Sequence, residues 1–424
     1  MTVCHNVESR RPATVTSTPQ LQAPHVAKLS SPRGISQRAR RAFKVTIYHN
    51  ILWPRYKGAI FTRLFALCRG TGIDASFVQI AETAAGYSEL GAVDLSYHSY
   101  PFRLLIKGSY AKASRLQRVW VTGRDLLRNP CDLVVLPGYE LVEFWVMLAL
   151  CMVLGRRRAV FCDSTGLDTR KSFLKEFAKR MFFSRCDGFL CYGERSREYV
   201  SSYGVPASKI YYRCQAAALP HGYDPALVQG NYAAQAQPAG EAPHFLFLGR
   251  LSVEKGLHDL LEAFSLVHAR FNGARLCLVG AGPQEAALRE QISRLGLQDA
   301  VELPGPRTLE QVVPLFYRSV ALVLPSYREP WGLVVNESLS YGCPVVVSDR
   351  CGCVPELVIE GVTGYAIPAG NVAKLSGAML AAVALSADRA ATAARCLKVM
   401  SAFTPESAAE EILRGCREIV AARA

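Results

Sequence analysis

The segment GRLSVEKG, residues 249–256, places Arg250 and Lys255 on what reads as a loop leaving a strand. A fork-shaped guanidinium and a point-charge ammonium folded around one anion suit a diphosphate, although two solvated surface cations would leave the same trace. Further on, REPWGLVVNESLSYGCPVV, residues 328–346, holds Glu329 and Glu337 with seven residues between them. On one helix, residues eight apart would lie about 12 Å from each other along the axis, too far to share a small ligand. With Glu329 on a loop and Glu337 on a helix beginning near Gly332, both face a ligand held across the helix N-terminus. The free amides of Gly332 to Val335 point at that ligand and favour negative charge. Carboxylates repel phosphate, so the two acids suit the uncharged parts of the same molecule, its sugar hydroxyls. The pattern reads as a nucleotide-sugar site with one glutamate at each sugar; taken alone, Glu329 also reads as a partner of the helix dipole. A third segment, LVGAGPQEAAL (278–288), has Gly280 and Gly282 but lacks the third glycine of a dinucleotide fingerprint, and reads better as a tight strand-to-helix turn.

These residues must be held by regular elements, and the sequence alternates accordingly. FKVTIYH, FVQI, DLVVLPG, RAVFCD, DGFLCYG and KIYYRC are short apolar or β-rich runs separated by helical patterns such as ELVEFWVMLALCMVL, RKSFLKEFAKRMFF and ERSREYVSSYG. Residues 229–243, QGNYAAQAQPAGEAP, read as a linker. The alternation then restarts with HFLFLGR, ARLCLVG, AVELPG, VALVLPS and PVVVSD as strands. Continuous apolar runs alternating with helices predict parallel strands covered on both faces. The expected fold is α/β: two Rossmann-like, doubly wound parallel-sheet domains facing a cleft. Residues 1–42 are expected to be a basic, disordered extension, 43–228 the first domain, 244–402 the second, and 403–424 a final helix with Thr404 as N-cap and Pro405 in its first turn. In such sheets ligands bind at the carboxyl ends of the strands, where all three segments fall.

Composition bounds the partners. The 424 residues carry a formal charge of +14, which suggests a polyanionic or anionic-surface partner. Much of the excess is local: residues 31–44 hold Arg33, Arg38, Arg40, Arg41 and Lys44 with no acid. The 14 cysteines are scattered without a CxxC pair and read as small buried hydrophobes in a reduced compartment. The N-terminus shows no apolar h-region, so no secretory signal is expected. The longest apolar run, residues 144–155, is too short to span a bilayer and reads as a buried helix.

In order, GRLSVEKG, GAGP, PSYREPWGLVVNESLSYGCPVVVSD and GVTGYAIPAGN resemble the C-terminal domain of the retaining glycosyltransferases of family 4, which have the GT-B fold. The resemblance covers roughly residues 244–420. It implies that Arg250 and Lys255 bind the donor diphosphate, that Glu329 lies by the donor sugar at the reacting centre, and that Glu337 holds the ribose hydroxyls. It implies that Gly332, Leu333 and Val334 meet phosphate and sugar through their backbone. It also implies that no metal or other cofactor is required, the cations and helix end serving the leaving diphosphate, and that the last helix packs back on the N-terminal domain.

The first half departs from the family pattern. Its usual Gly-Gly loop is here HNILWPRYKGAIF (49–61) with the single Gly58, where Arg55 and Lys57 suit an acceptor phosphate or plain solvation. A histidine common after the strand matching DLVVLPG is replaced by Gly138-Tyr139-Glu140, and Asp163 sits at another strand end. Lys57, Gly58, Tyr139 and Asp163 are therefore the acceptor-side candidates. The function expected is transfer of a sugar, with retained configuration, from a nucleotide-diphosphate sugar to a hydroxyl of a glycan or lipid-linked acceptor. The apolar segment 140–154 and Arg156, Arg157 and Arg158 suit peripheral contact with an anionic membrane, at the inner face of the cytoplasmic membrane. Two rivals are a GT-B-fold nucleotide-sugar epimerase or hydrolase, which calls for acid/base histidines in the first half, and a nucleic-acid binder, which calls for aromatics interleaved with basic residues. The sequence supplies neither pattern, and no nucleic acid is expected as partner.

Overall fold

The computed structural model describes residues 42–84, 92–167, 172–234 and 242–422. The extension assigned to 1–42 falls almost wholly outside them. The first domain runs β1 (Phe43–Ile51), α1 (Arg55–Cys68), β2 (Ile73–Thr83), β3 (Phe102–Ser109), α2 (Arg115–Arg128), β4 (Leu133–Leu136) and α3 (Val142–Val153). It continues with β5 (Arg157–Cys162), α4 (Phe173–Ser184), β6 (Gly188–Cys191), α5 (Glu194–Ser201) and β7 (Ile210–Tyr211). After α6 (Pro225–Ala234), the second domain runs β8 (His244–Leu248), α7 (Leu257–Arg270), β9 (Arg275–Val279), α8 (Glu285–Arg294), β10 (Val301–Gly305), α9 (Leu309–Arg318) and β11 (Ala321–Leu324). It ends with α10 (Leu333–Ser340), β12 (Val345–Ser348), α11 (Val354–Leu357), β13 (Gly364–Ile367), α12 (Val372–Leu385), α13 (Arg389–Met400) and α14 (Pro405–Ala421).

The strands form two sheets, ordered β3-β2-β1-β4-β5-β6-β7 and β10-β9-β8-β11-β12-β13. Their pairings are parallel, from β1 against β2 and β4 to β12 against β13. Strands β4, β6, β11 and β12 are buried at every position, which is why they read as unbroken apolar runs rather than alternating ones. Each order reverses between the first strand of the sheet and its later neighbour, β1 with β4 and β8 with β11. Chains leaving such a switch point diverge, and the crevice they leave at the carboxyl ends is where ligands settle. Helix α14 returns to the first domain. Thr404 accepts the Ser407 amide at 3.1 Å, and Ile412, Cys416 and Ile419 share a core with Val135, Phe161 and Leu190.

Several elements differ from expectation. The linker assigned to 229–243 begins inside α6, because Val228 and Tyr232, one turn apart, lie in the core of the second domain and the Tyr232 hydroxyl donates to the Tyr341 carbonyl at 3.0 Å; residues 235–241 lie outside those described. The loop assigned to 49–61 is mostly regular, since β1 extends to Ile51 and α1 starts at Arg55. The apolar helix α3 buries Phe144, Met147, Leu148 and Cys151, and its Glu143 pairs with Arg118 at 2.7 Å. Arg156, Arg157 and Arg158 are spent within the fold, on the Leu126 carbonyl, the Ile419 carbonyl and Asp187. No helix among the described residues is long and apolar enough to cross a membrane.

Candidate functional site

The second domain builds its half of the cleft from four loops at strand ends. Gly249 and Leu251 donate to the Val279 and Ala281 carbonyls at 3.0 and 2.9 Å, so the loop after β8 lies directly on the loop after β9. Gly280 makes that approach possible, because a Cβ there would fall 1.8 Å from the Gly249 carbonyl oxygen. This answers the question posed by LVGAGP: its glycines seat one loop on the next. Arg250 is exposed at the end of β8 and borders a cavity of about 410 Å³ that is also lined by Gly280, Gly282, Pro306 and Arg307.

Lys255 ends a short 3-10 turn, and the Glu254 carbonyl accepts the Tyr327 amide at 2.9 Å. That bond pins the Lys255 turn against the segment carrying Glu329, and Lys255 Nζ reaches Glu329 Oε2 at 2.5 Å. On its other side, the Glu329 carbonyl accepts the Gly352 amide at 2.9 Å, and the Trp331 carbonyl accepts Cys353 at 3.1 Å. Glu329 is thus held on both flanks. Gly332 then turns the chain into α10 with φ +98°, a conformation that costs other residues roughly 1–2 kcal/mol. Beneath the turn, buried Trp331 donates to Asn336 Oδ1 at 2.8 Å. The first bond inside α10 runs from Val335 to Gly332 at 2.9 Å, so the amides of Leu333 and Val334 precede the ladder at the positive end of the helix. Glu337 follows one turn later and is half-buried. Desolvation pushes its carboxyl up to about 7, against which Arg55 of the first domain pulls it down. Arg250, Lys255, Glu329, Gly332, Leu333, Val334 and Glu337 therefore all lie on strand-end loops or the helix start that line one wall.

The opposite wall departs from the sequence reading. Lys57 is not on a loop but in the first turn of α1, 1% exposed, with its ammonium 4.5 Å from the ring centres of both Phe161 and Tyr192. It has no hydrogen-bond partner, and burial drags it down to about 8. Gly58 serves packing, since a Cβ there would fall 2.7 Å from His98 Nε2. Tyr139 is buried, edge-on to Phe183 at 4.9 Å, and its hydroxyl donates to Ser164 Oγ at 2.7 Å. A large amphipathic ring at the end of β4 is drawn into the core, leaving the next residue outside. That residue, Glu140, is exposed and feels Asp163 of its own domain and Arg328 of the other; burial of the carboxyl, then Asp163, push its pKa up. Glu140 is the cleft-facing group that the sequence reading missed, because which of Tyr139 and Glu140 faces outward depends on the packing of the Tyr139 ring against Phe183. Asp163 is exposed at the end of β5, as placed. Arg55 pairs with Asp94 at 3.2 Å and lies over the Tyr97 ring at 5.6 Å. The histidines nearby are poor proton carriers: His49 and His98 are buried, and desolvation pulls them down to about 3 and 4.

Between the walls the domains touch through Glu356 of α11, which accepts the Glu194 amide at 3.0 Å and pairs with Arg213 at 3.4 Å. Gly193 sits at this contact, where a Cβ would fall 2.2 Å from Glu356 Oε2 and 2.3 Å from the Trp331 ring.

Two parallel doubly wound domains facing a cleft define the GT-B class of glycosyltransferase folds. Residues 229–396 match the family described as Glycosyl transferases group 1. A glycogen synthase of Mycobacterium tuberculosis is 34% identical over 166 residues, which covers 39% of this chain and 40% of that protein. The D-rhamnosyltransferase WbpZ of Pseudomonas aeruginosa is 34% identical over 137 residues, 32% of this chain and 34% of the relative. The matches to these curated relatives thus span well under half of their length. Among solved structures, the lipopolysaccharide outer core galactosyltransferase WaaB superposes with a TM-score of 0.64 at 15% identity, covering 88% of this chain and 99% of the other. Anabaena Alr3699/HepE in complex with UDP and glucose gives 0.64 at 18% identity with the same coverage. At such identities the likeness establishes the fold.

Proposed function

We propose that the protein is a glycosyltransferase that moves a sugar from a nucleotide-diphosphate sugar to a hydroxyl acceptor with retained configuration. The observation that carries this reading is the Lys255–Glu329 pair at the open N-terminus of α10, with Arg250 and its cavity alongside. The diphosphate lies on the amides of Leu333 and Val334 between Arg250 and Lys255, where charge that builds on the leaving group meets donors already in place. The cavity beside Arg250 takes the base, Glu337 accepts from the ribose hydroxyls, and Glu329 stands by the transferred sugar. UDP in a neighbour of the same fold is consistent with this division. We assign no general base; in this reading the leaving phosphate itself takes the acceptor proton, and the cations and helix end serve the leaving diphosphate. Glu140 and Asp163 face the acceptor, which we take to be a glycan intermediate, lipid-linked and met at a membrane surface. The reading is tested by thermal stabilisation with UDP, GDP and dTDP, followed by a screen of their sugars for nucleotide release. Absence of a shift with all three overturns it.

A further inference from the structure

Helix α4 turns an unpartnered face outward. Its Phe182 and Phe183 are buried, whereas Phe173, Leu174, Phe177 and Met181 are 85, 76, 61 and 46% exposed. At 100° per residue these four fall within a single arc of about 100°, one continuous apolar stripe. Its borders are basic: Arg180 is exposed on one edge and Arg185 on the other. The helix carries one acid, Glu176, which is engaged with Lys179 at 3.1 Å. A stripe of large apolar side chains edged by cations is complementary to an interface that is apolar inside and negative at its rim.

We propose that α4 is the surface by which this protein lies on an anionic lipid bilayer, its two phenylalanines entering the headgroup–acyl boundary and Arg180 and Arg185 meeting lipid phosphates. The inference locates the membrane contact on α4 rather than on α3 and the 156–158 turn, and it stands on the transferase reading only for its purpose. A cavity of about 670 Å³ lies between α4 and α5, lined by Gly166, Phe173, Phe177, Arg180, Tyr199 and Tyr203. Gly166 follows the β5 end that presents Asp163, so the docked face adjoins the acceptor side of the cleft and a lipid-borne acceptor has a short path from bilayer to Asp163.

The test is co-sedimentation of the full chain with phosphatidylcholine vesicles, with and without phosphatidylglycerol. Binding is expected only to the anionic vesicles and is expected to weaken with salt. Phe173→Ser with Phe177→Ser should reduce it about tenfold or more, and Arg180→Gln with Arg185→Gln should flatten its salt dependence. The helical circular dichroism and the nucleotide-induced melting shift of these variants serve as controls, so loss of lipid binding is separable from loss of fold or donor binding. Undiminished sedimentation of the double serine variant overturns the proposal, as that would assign binding to the basic N-terminal residues. Self-association abolished by Phe177→Ser, without vesicle binding, also overturns it and makes the stripe a contact between copies.

Discussion

Lys255 Nζ and Glu329 Oε2 lie 2.5 Å apart, so the cation assigned to the donor diphosphate is already paired with the carboxylate assigned to the donor sugar. Both side chains are less than one-fifth exposed, and the pair belongs to the site rather than to the surface. A lysine shared between the two holds the carboxylate in place before the donor arrives and then sees phosphate on its other side.

Removing the two partners should therefore have different effects. Lys255→Ala is expected to weaken nucleotide binding by about 1–3 kcal/mol, roughly 5- to 150-fold, as expected for a charged hydrogen bond. Glu329→Gln is expected to keep nucleotide affinity within a few-fold and to lower the transfer rate by about two orders of magnitude or more. Calorimetry with the nucleotide and single-turnover kinetics separate the two, and full transfer by Glu329→Gln refutes the role given to Glu329.

Glu337 sets a pH dependence. Its carboxyl is raised from 4.5 to about 7 in the folded protein, so the stability it contributes is fully present below pH 4.5 and is lost as pH rises through 7. Glu337→Gln should flatten the melting-temperature profile over that window. Because only the ionised form accepts from both ribose hydroxyls, nucleotide affinity of the native protein should rise through pH 7, and that rise should be absent in Glu337→Gln.

Lys57 sets another. With its ammonium lowered from 10.5 to about 8, the folded state loses stability as pH falls from 10.5 through 8. Lys57→Met, similar in length and uncharged, should raise the melting temperature at pH 7 and abolish this slope. An unchanged profile would show that the ammonium finds a partner on solvent rearrangement.

Glu140 supplies a test of the acceptor wall. Glu140→Gln should leave nucleotide binding unaltered and should lower turnover, with a larger effect on the apparent affinity for the acceptor than for the donor. Tyr139→Phe, which removes the hydroxyl's bonds to Ser164 and Tyr199, should cost about 1 kcal/mol of stability and little activity.

How much of this was legible follows from where the information is stored. The placement of Arg250, Lys255 and Glu329 on loops was readable because those loops follow β8 and β11, whose apolar runs mark the strand ends, and Glu337 falls in the helix that opens next. Tyr139 was misassigned because its orientation depends on Phe182 and Phe183, more than forty positions away, and no local pattern reports such packing. Strand β3 and helix α2 escaped for a related reason: β3 is an edge strand with mostly half-buried side chains, and α2 carries five basic or acidic residues among its fourteen. The exposed stripe of α4 was invisible because its phenylalanines look like core residues until tertiary structure shows which of them are covered.

The crowding at Gly193 has a mechanical consequence. The Trp331 ring that bears on it is only two residues from Glu329, in a loop fastened on both flanks. A tilt of the first domain would therefore act through a fulcrum at Gly193 on the loop that carries Glu329. Any change in the width of the cleft would be geared to the placement of that carboxylate. Widening residue 193 by one methyl group, as in Gly193→Ala, would put a Cβ 2.3 Å from the Trp331 ring, and the displacement that relieves it should be felt at Glu329 while both sheets stay as they are.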